Sequence, residues 1–458
     1  MTQASLEHAL AAAGRRAYRN PEPALFPIAR RHLVDCAGVA LAALPVDAVK
    51  RLEAALPSFG GADAACLIGS GRTVTPRDAA LLAGMAGHFH DYDDDDPALC
   101  VGHPTVPVFA ALAAVGDGTG AMMRAALAAY VAAVETTMRI GAIVNPRHYD
   151  AGFHATATLG VFGATMTAAL LTGADDDVIV HALGLAASLS SGLKGNFGSD
   201  GKPFQVGAAA ANGVLAADLG RRGLRAAPGA LFGPAGFCAM HRGGDARAVV
   251  EHFGAPWGLV DPGLNLKIYP CCSSTHTAAD ALFELLREGA IPPDDIEAID
   301  AWIGPDVPAI LIYDVPANPL QGKFSLRYCL AAAAALGALD LAAFEPEAFA
   351  APAVQSMMAR VRVQVDASLP RIPTGVTHAA RVRVRRRDGR EASRQIADPL
   401  GSAKRPVPDA VLREKFVRCA NRSLDAAHAA QAFDEGMDLP DDAPFARWLD
   451  LMRAGARP

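Results

Sequence analysis

Four short segments of this chain gather the side chains that can move protons or hold charge. The densest reads His88-Phe89-His90-Asp91-Tyr92-Asp93-Asp94-Asp95-Asp96, with Gly102-His103-Pro104 close behind. Consecutive carboxylates repel one another unless they are hydrated, paired or used. One of them, positioned by the others and by His103, can act as a general base. The same oxygens suit Mg²⁺ or Mn²⁺, with His88 and His90 adding nitrogen. An acidic loop that caps the following helix accounts for the run without any chemistry.

The second segment is His148-Tyr149-Asp150-Ala151-Gly152-Phe153-His154, followed by Thr156 and Thr158. His154 opens an apolar helical stretch, and a helix N-terminus lowers the proton affinity of a histidine, which suits a neutral proton shuttle near pH 7. A partly buried, hydrogen-bonded histidine is the plainer alternative. The third runs from Gly192 to Gly207, with Lys194, Lys202 and Gln205 among closely spaced glycines. Free backbone N–H groups and Lys202 would suit an anion there. The segment lacks a GK[ST] sequence and a preceding strand pattern, so it is not a nucleotide phosphate loop; a solvated surface loop is the alternative.

The fourth is Lys267-Ile268-Tyr269-Pro270-Cys271-Cys272-Ser273-Ser274-Thr275-His276. Lys267 sits at a predicted hinge, ahead of a helix that Ser273 or Ser274 would cap. Adjacent cysteines make a poor metal pair, which disfavours an iron–sulfur centre. Cys272 and His276, four residues apart, form a conceivable nucleophile–base pair on one helix face.

The elements that must position these groups are mostly helices. Apolar residues recur at helical spacing near 25–44, 78–90, 104–116, 120–142, 155–172, 176–191, 204–222 and 245–253. Asp175–Asp177 predicts a helix start, since carboxylates favour that end. After Pro270 the pattern changes. A helix at 274–287 leads to strand-like alternation at 298–303, a helix at 325–341, and strands at 360–365, 380–384 and 391–396. Asp388-Gly389 between the last two predicts a hairpin, because that dipeptide accepts the backbone angles of a tight turn. Helical pattern returns at 410–420, 426–435 and 444–452. The expected fold is mainly α with a smaller α/β lid: 1–266 plus 405–458 form an all-helical domain from both chain ends, and 267–404 form the lid.

Composition narrows the function. The 458 residues are 51% hydrophobic and 20% charged, which supports a large core and excludes a disordered chain. A net charge of −6 argues against a nucleic-acid binder, and the alternating arginines at 381–390 read as the solvated face of a hairpin. The strongest apolar stretch, 159–173, is shorter than the roughly 20 residues of a membrane span. The first 18 residues read as an amphipathic helix beginning near Ser5, not an export signal. The eight cysteines lack a CxxC pair, so we expect a reduced, cytoplasmic protein without disulfides.

Taken together and in order, these segments resemble the MmgE/PrpD family. The matching residues are His90-Asp91-Tyr92-Asp93-Asp94 with Gly102-His103-Pro104; Gly152-Phe153-His154 with Thr156; Gly192-Leu193-Lys194 with Lys202-Pro203; and Lys267 through Cys272 with Thr275-His276. Phe324-Ser325-Leu326 with Tyr328 completes the set. The resemblance implies a homodimer whose active site lies between the lobes and handles small di- or tricarboxylates without a metal or organic cofactor. By position, Asp93, His103, His154, Lys202 and Lys267 match the family's catalytic and substrate-binding residues, with Tyr149 and His276 beside them.

Dehydration, decarboxylation and epimerisation of such acids all develop negative charge next to a carboxylate, which cations stabilise while paired groups move a proton. Asp93 or His103 would then be the acid–base pair, His154 a second proton carrier, and Lys202 and Lys267 carboxylate clamps. Two positions depart from the family pattern. Gln205 stands where many members have histidine, and Cys272 stands where the decarboxylase branch has one. The reading is a hydro-lyase for a 2-methylcitrate- or aconitate-type acid. The alternatives are an epimerase of an iminodisuccinate-like dicarboxylate, a decarboxylase, a metal-dependent hydrolase built on Asp93–Asp96, and a non-catalytic scaffold.

Overall fold

Alanine and glycine let helix backbones lie close together, and the helical part of this protein uses that throughout. The computed structural model describes residues 3–61, 63–372 and 376–454. It is 56% helical with a small mixed sheet. At its centre, helix Ala155–Leu171 is buried on every side. Around it pack Thr105–Val115, Met123–Val144, Asp176–Leu189 and Gly201–Arg221. A helix with no polar face needs such complete enclosure. Met123–Val144 is long and apolar enough to cross a bilayer, yet 89% of its apolar window is buried inside the protein. Its buried charges pair: Arg139 donates to Glu135 over 2.6 Å.

Helices Pro76–Phe89 and Gly201–Arg221 make the closest contact that bears on the site. A Cβ on Gly84 would lie 2.8 Å from the Gly207 Cα, and one on Gly207 would overlap the Leu81 carbonyl oxygen. The two run in opposite directions, so His88 at the end of one reaches Lys202 in the first turn of the other. Lys202 was expected in a loop ahead of a helix starting at 204; the helix begins earlier, at Gly201.

The smaller part carries a four-stranded sheet in the order Val361–Val365, Ile296–Ile303, Ala380–Arg386, Glu391–Ile396. The first pair is parallel and the others antiparallel. The expected hairpin turns at Gly389, whose φ is +85°. Helices His276–Glu288 and Leu326–Leu336 pack against this sheet. Arg381 and Arg383 lie on the other face: Arg383 pairs with Asp300 at 2.8 Å, Arg381 with Asp366 at 2.9 Å, and Arg381 stacks 4.7 Å over Trp302, while Arg394 of the last strand reaches Glu284 of helix His276–Glu288 at 3.1 Å.

Apolar side chains form two main clusters, one from residues 6–264 with 412–452, the other from 271–396 with Phe197. Helix Asp409–Ala420 packs on Phe26–Ala43, which returns the end of the chain to its beginning. All eight cysteines are free.

Several local expectations differ. Helix Asp47–Ala55, the small pairing of Ala65–Cys66 with Thr73–Val74, and helix Pro352–Met358 were not anticipated. The helix expected to reach 341 stops at Leu336, where Gly337 takes the left-handed conformation (φ +70°) that ends helices. Neither Ser273 nor Ser274 caps its helix; both lie in a short 3₁₀ turn, Ser273–Thr275, and the α-helix starts at His276 without a side-chain cap.

Replacing Gly207 by Ala should lower stability by about 1–3 kcal/mol through overpacking. Thermal unfolding of the Gly207→Ala protein measures this, and an unchanged midpoint would mean the two helices are free to separate.

Candidate active site

Helix Pro76–Phe89 delivers His88 and then ends, and the chain turns sharply through the acidic run. Asp91 (φ +53°) and Val101 (φ +50°) both occupy the left-handed region. That is uncommon outside glycine and a marked outlier for a β-branched residue, and such strain is held where surrounding structure demands it.

The run then disperses its carboxylates. Asp91 Oδ1 accepts from Lys267 Nζ at 2.7 Å and Lys202 Nζ at 3.2 Å, and its main-chain oxygen accepts from Lys267 at 3.1 Å. Asp93, with no exposed surface, lies 2.9 Å from His88 Nδ1 and 3.2 Å from His103 Nδ1. Asp94 accepts from Thr105 at 2.5 Å and faces His32 Nδ1 at 2.7 Å. Asp96 closes a turn by accepting the N–H groups of Ala98, Leu99 and Cys100. Asp95 pairs through its backbone with Asn265, while its buried Oδ1 has no partner.

This dispersal corrects the hard-cation reading. Mg²⁺ or Mn²⁺ needs oxygens that converge, and the carboxylates of Asp93–Asp96 serve separate partners. His90 is also elsewhere, its Nε2 on the Ala42 carbonyl at 3.2 Å. His88, Asp93 and His103 do bring ligand-type atoms within 4.8 Å of one another. There the imidazole nitrogens face the carboxylate itself, an arrangement that orients the rings.

Burial alone would raise the Asp91 carboxyl, but Lys202 and Lys267 hold it well below the usual range. Asp93 is treated the same way by His88 and His103. Burial pushes His88 down to about 4, so it is neutral, donating from Nδ1 to Asp93 and accepting at Nε2 from Lys202 at 2.6 Å. Burial, with Lys202 nearby, holds His154 well below the ordinary imidazole value. Burial raises the Tyr149 phenol, and lifts the Cys272 thiol to about 11, so both keep their protons. Lys267 is held charged by Asp91 despite its burial.

These groups enclose a cavity of about 60 Å³. His103, His154, Tyr149, Lys202, Lys267 and Cys272 all line it. Asp93, Gln205 and His276 do not. Asp93 stands behind His88 and His103. Gln205 stands behind His154, with its Nε2 3.1 Å from His154 Nδ1. His276 contacts the Cys271 carbonyl at 3.2 Å and the edge of the Tyr269 ring. Cys272 lies outside the helix that His276 begins, so the proposed nucleophile–base pair on one helix face does not form.

Asp91, Asp95 and His378 also line the cavity; the first two were given no individual role from the sequence, and His378 was not singled out. Asp91 was in view within the acidic run, but only the turn after His90 separates its direction from that of Asp93. His378 had no local motif and arrives from beside the sheet, 275 residues after His103.

The MmgE/PrpD N-terminal domain profile matches residues 11–248, and the MmgE/PrpD C-terminal domain profile matches residues 269–439. The chain belongs to the MmgE/PrpD family. Among its relatives is the cis-aconitate decarboxylase of Homo sapiens, 24% identical over 360 residues, spanning 76% of this chain and 73% of that protein. The cis-aconitate decarboxylase of Aspergillus terreus is 25% identical over 424 residues, spanning 86% and 85% of the two chains. In this MmgE/PrpD member, the cavity residues named above fall inside the two matched regions except Lys267, which lies in the short stretch between them.

The buried histidines set an acid limit on stability. His88 is pushed down to about 4, and His90 and His148 to about 3, from an unfolded value of 6.5. Unfolding takes up protons below that value, so their contribution is full above about pH 6.5 and is lost as pH falls towards 4. Asp35 opposes this, because burial raises it to about 6 and the folded state keeps its proton there. Three groups outweigh one. The thermal midpoint should fall between pH 7 and pH 4.5; a rise on acidification would contradict the neutral buried histidines.

Proposed function

We propose that the chain is a cofactor-independent hydro-lyase acting on a small di- or tricarboxylate of the 2-methylcitrate or aconitate type. The observation that supports this most is the meeting of a carboxylate-backed histidine, His103, with two buried ammonium groups in one cavity. Lys202 spends two of its three N–H donors on His88 and Asp91, and Lys267 spends two on Asp91, which leaves each one donor for a substrate carboxylate. Their charge also stabilises the negative charge that builds beside that carboxylate in the transition state.

Asp93 faces His103 Nδ1 and so favours the tautomer with its proton there, leaving Nε2 as the base. His103 Nε2 removes the proton from the carbon next to the carboxylate. The imidazolium formed is stabilised by Asp93 and by Asp91, 3.7 Å away. It then returns the proton to the departing hydroxyl as the carbon–oxygen bond breaks, so water leaves and the histidine is restored. One residue thus serves as base and then acid on a single face of the substrate.

Two other readings each have an observation behind them. The relatives' names favour loss of CO₂, in which the same enzyme groups would protonate the carbanion. Cys272 argues for the hydro-lyase, since a thiol held near 11 is a weaker proton donor than the decarboxylase-branch histidine would be. The partnerless, buried Asp95 Oδ1 favours a substrate bearing an N–H group, as an epimerase of an imino dicarboxylate would require.

Purified protein assayed on citrate, 2-methylcitrate, cis-aconitate and aspartate-derived imino acids, with and without chelator, separates the readings. New ultraviolet absorbance from a hydroxy acid is the expected result. Release of CO₂ from cis-aconitate would replace the hydro-lyase with a decarboxylase, and deuterium exchange without elimination would replace it with an epimerase. On the active substrate, Lys267→Met should raise KM about 10- to 100-fold, the scale of a lost charge-assisted hydrogen bond. An unchanged KM would remove Lys267 from carboxylate binding.

A further inference from the structure

Gln205 is one turn beyond Lys202 on helix Gly201–Arg221, so both side chains leave the same face. Its amide orientation is fixed by chemistry. The Leu193 backbone N–H, which can only donate, lies 2.7 Å from Gln205 Oε1, and Asn196 Nδ2 donates to the same oxygen at 3.0 Å. The other end of the amide is therefore the NH₂ group. It donates to the Leu193 carbonyl at 3.2 Å and reaches His154 Nδ1 at 3.1 Å. A donor at that distance needs a lone pair on Nδ1, which leaves the ring proton on Nε2. That nitrogen is buried without a partner in a ring that lines the cavity.

We infer that Gln205 is a positioning residue that locks His154 as the neutral Nε2–H tautomer, making it a hydrogen-bond donor to the substrate and not a base. This rests on the cavity being the active site. A neutral imidazole cannot readily give up its last proton, but its N–H can polarise a carboxylate or carbonyl oxygen as charge develops on it. The division of labour is then complete. His103, backed by an acceptor, presents a lone pair; His154, backed by a donor, presents a hydrogen. Two histidines of the same residue type differ in role because of the group behind each.

The surroundings keep His154 neutral. Lys202, His88 and His103 face it, and Asp91 opposes them. The His88 ring lies 5.5 Å away, and the Phe197 ring meets it edge-on at 5.1 Å. Gln205→Glu would reverse the arrangement, because a carboxylate accepts from Nδ1–H and stabilises the imidazolium.

The test begins with the free full-length protein labelled with ¹⁵N-histidine, with the His154 resonances assigned by their loss in His154→Asn. The expected spectrum shows a bare Nδ1 and a protonated Nε2 across pH 6–8. A protonated Nδ1 or a charged ring would overturn the inference, whatever reaction the enzyme performs. In Gln205→Glu the proton pattern should change to Nδ1–H or imidazolium. Its kcat should fall about 100-fold, at the lower end of what a positioned proton-bearing group supplies, while KM stays within about threefold. The acidic limb of its pH–rate profile should also move to higher pH. Gln205→Leu removes the contact without adding charge and should lose less of kcat with no such movement. Unaltered kcat in both variants would overturn the proposed role. If neither variant folds, the wild-type spectrum still decides the tautomer, and if the substrate reading fails, the spectrum is unaffected.

Discussion

The Asp91 carboxylate, held between Lys202 and Lys267, is the interaction on which the rest of this protein depends. Both lysines are buried, at 5% and 1% exposure. Charges taken out of water are costly unless paired and hydrogen-bonded, and removing one partner leaves the others stranded. Asp91 offers one side-chain oxygen to both ammonium groups and its main-chain oxygen to Lys267. The backbone reaches this position only in the left-handed conformation. The same interaction ties together a helix end, the start of another helix and the segment that leads into the sheet.

Around that centre, buried polar groups hold the main chain where the cavity needs it. Lys415, from helix Asp409–Ala420, pairs with Asp35 at 2.6 Å and donates to the carbonyls of Tyr92 and Lys267, each at 2.8 Å. It thereby clamps the two segments that bear Asp91 and Lys267. Lys323 does similar work, donating to the carbonyls of His90 at 2.9 Å and Pro270 at 2.7 Å. Without a carboxylate close at hand, burial lowers it to about 8. Asp94, itself faced by His32, accepts from Thr105, the first residue of the next helix. Side chains that look like a reserve of catalytic groups in the acidic run are therefore mostly structural, and the chemistry is left to few of them.

Much of this was legible in the chain. Helices at 155–172 and 176–191, and the strand at 298–303, followed from periodicity because one face or all faces of each element are apolar. The hairpin at Asp388-Gly389 followed from turn chemistry. The segments that line the cavity were also visible as clusters of His, Lys and Asp. What could not be read was direction. Asp91 and Asp93 are two residues apart with the same side chain, and one faces the cavity while the other faces the backs of two histidines. Gln205 was expected at the cavity surface, yet it lies behind His154.

The residue types, their order and the helical and strand periods were set by the sequence alone, and with them the family and its mainly helical architecture. These follow from local rules, in which each residue's preference depends on neighbours within a few positions. The tertiary structure alone decided which carboxylate meets the lysines, which nitrogen of each histidine faces the cavity, and that His378 arrives there at all. Those outcomes depend on contacts between residues tens to hundreds of positions apart. They depend too on the low-polarity interior, where a single hydrogen bond sets the protonation of the group it touches.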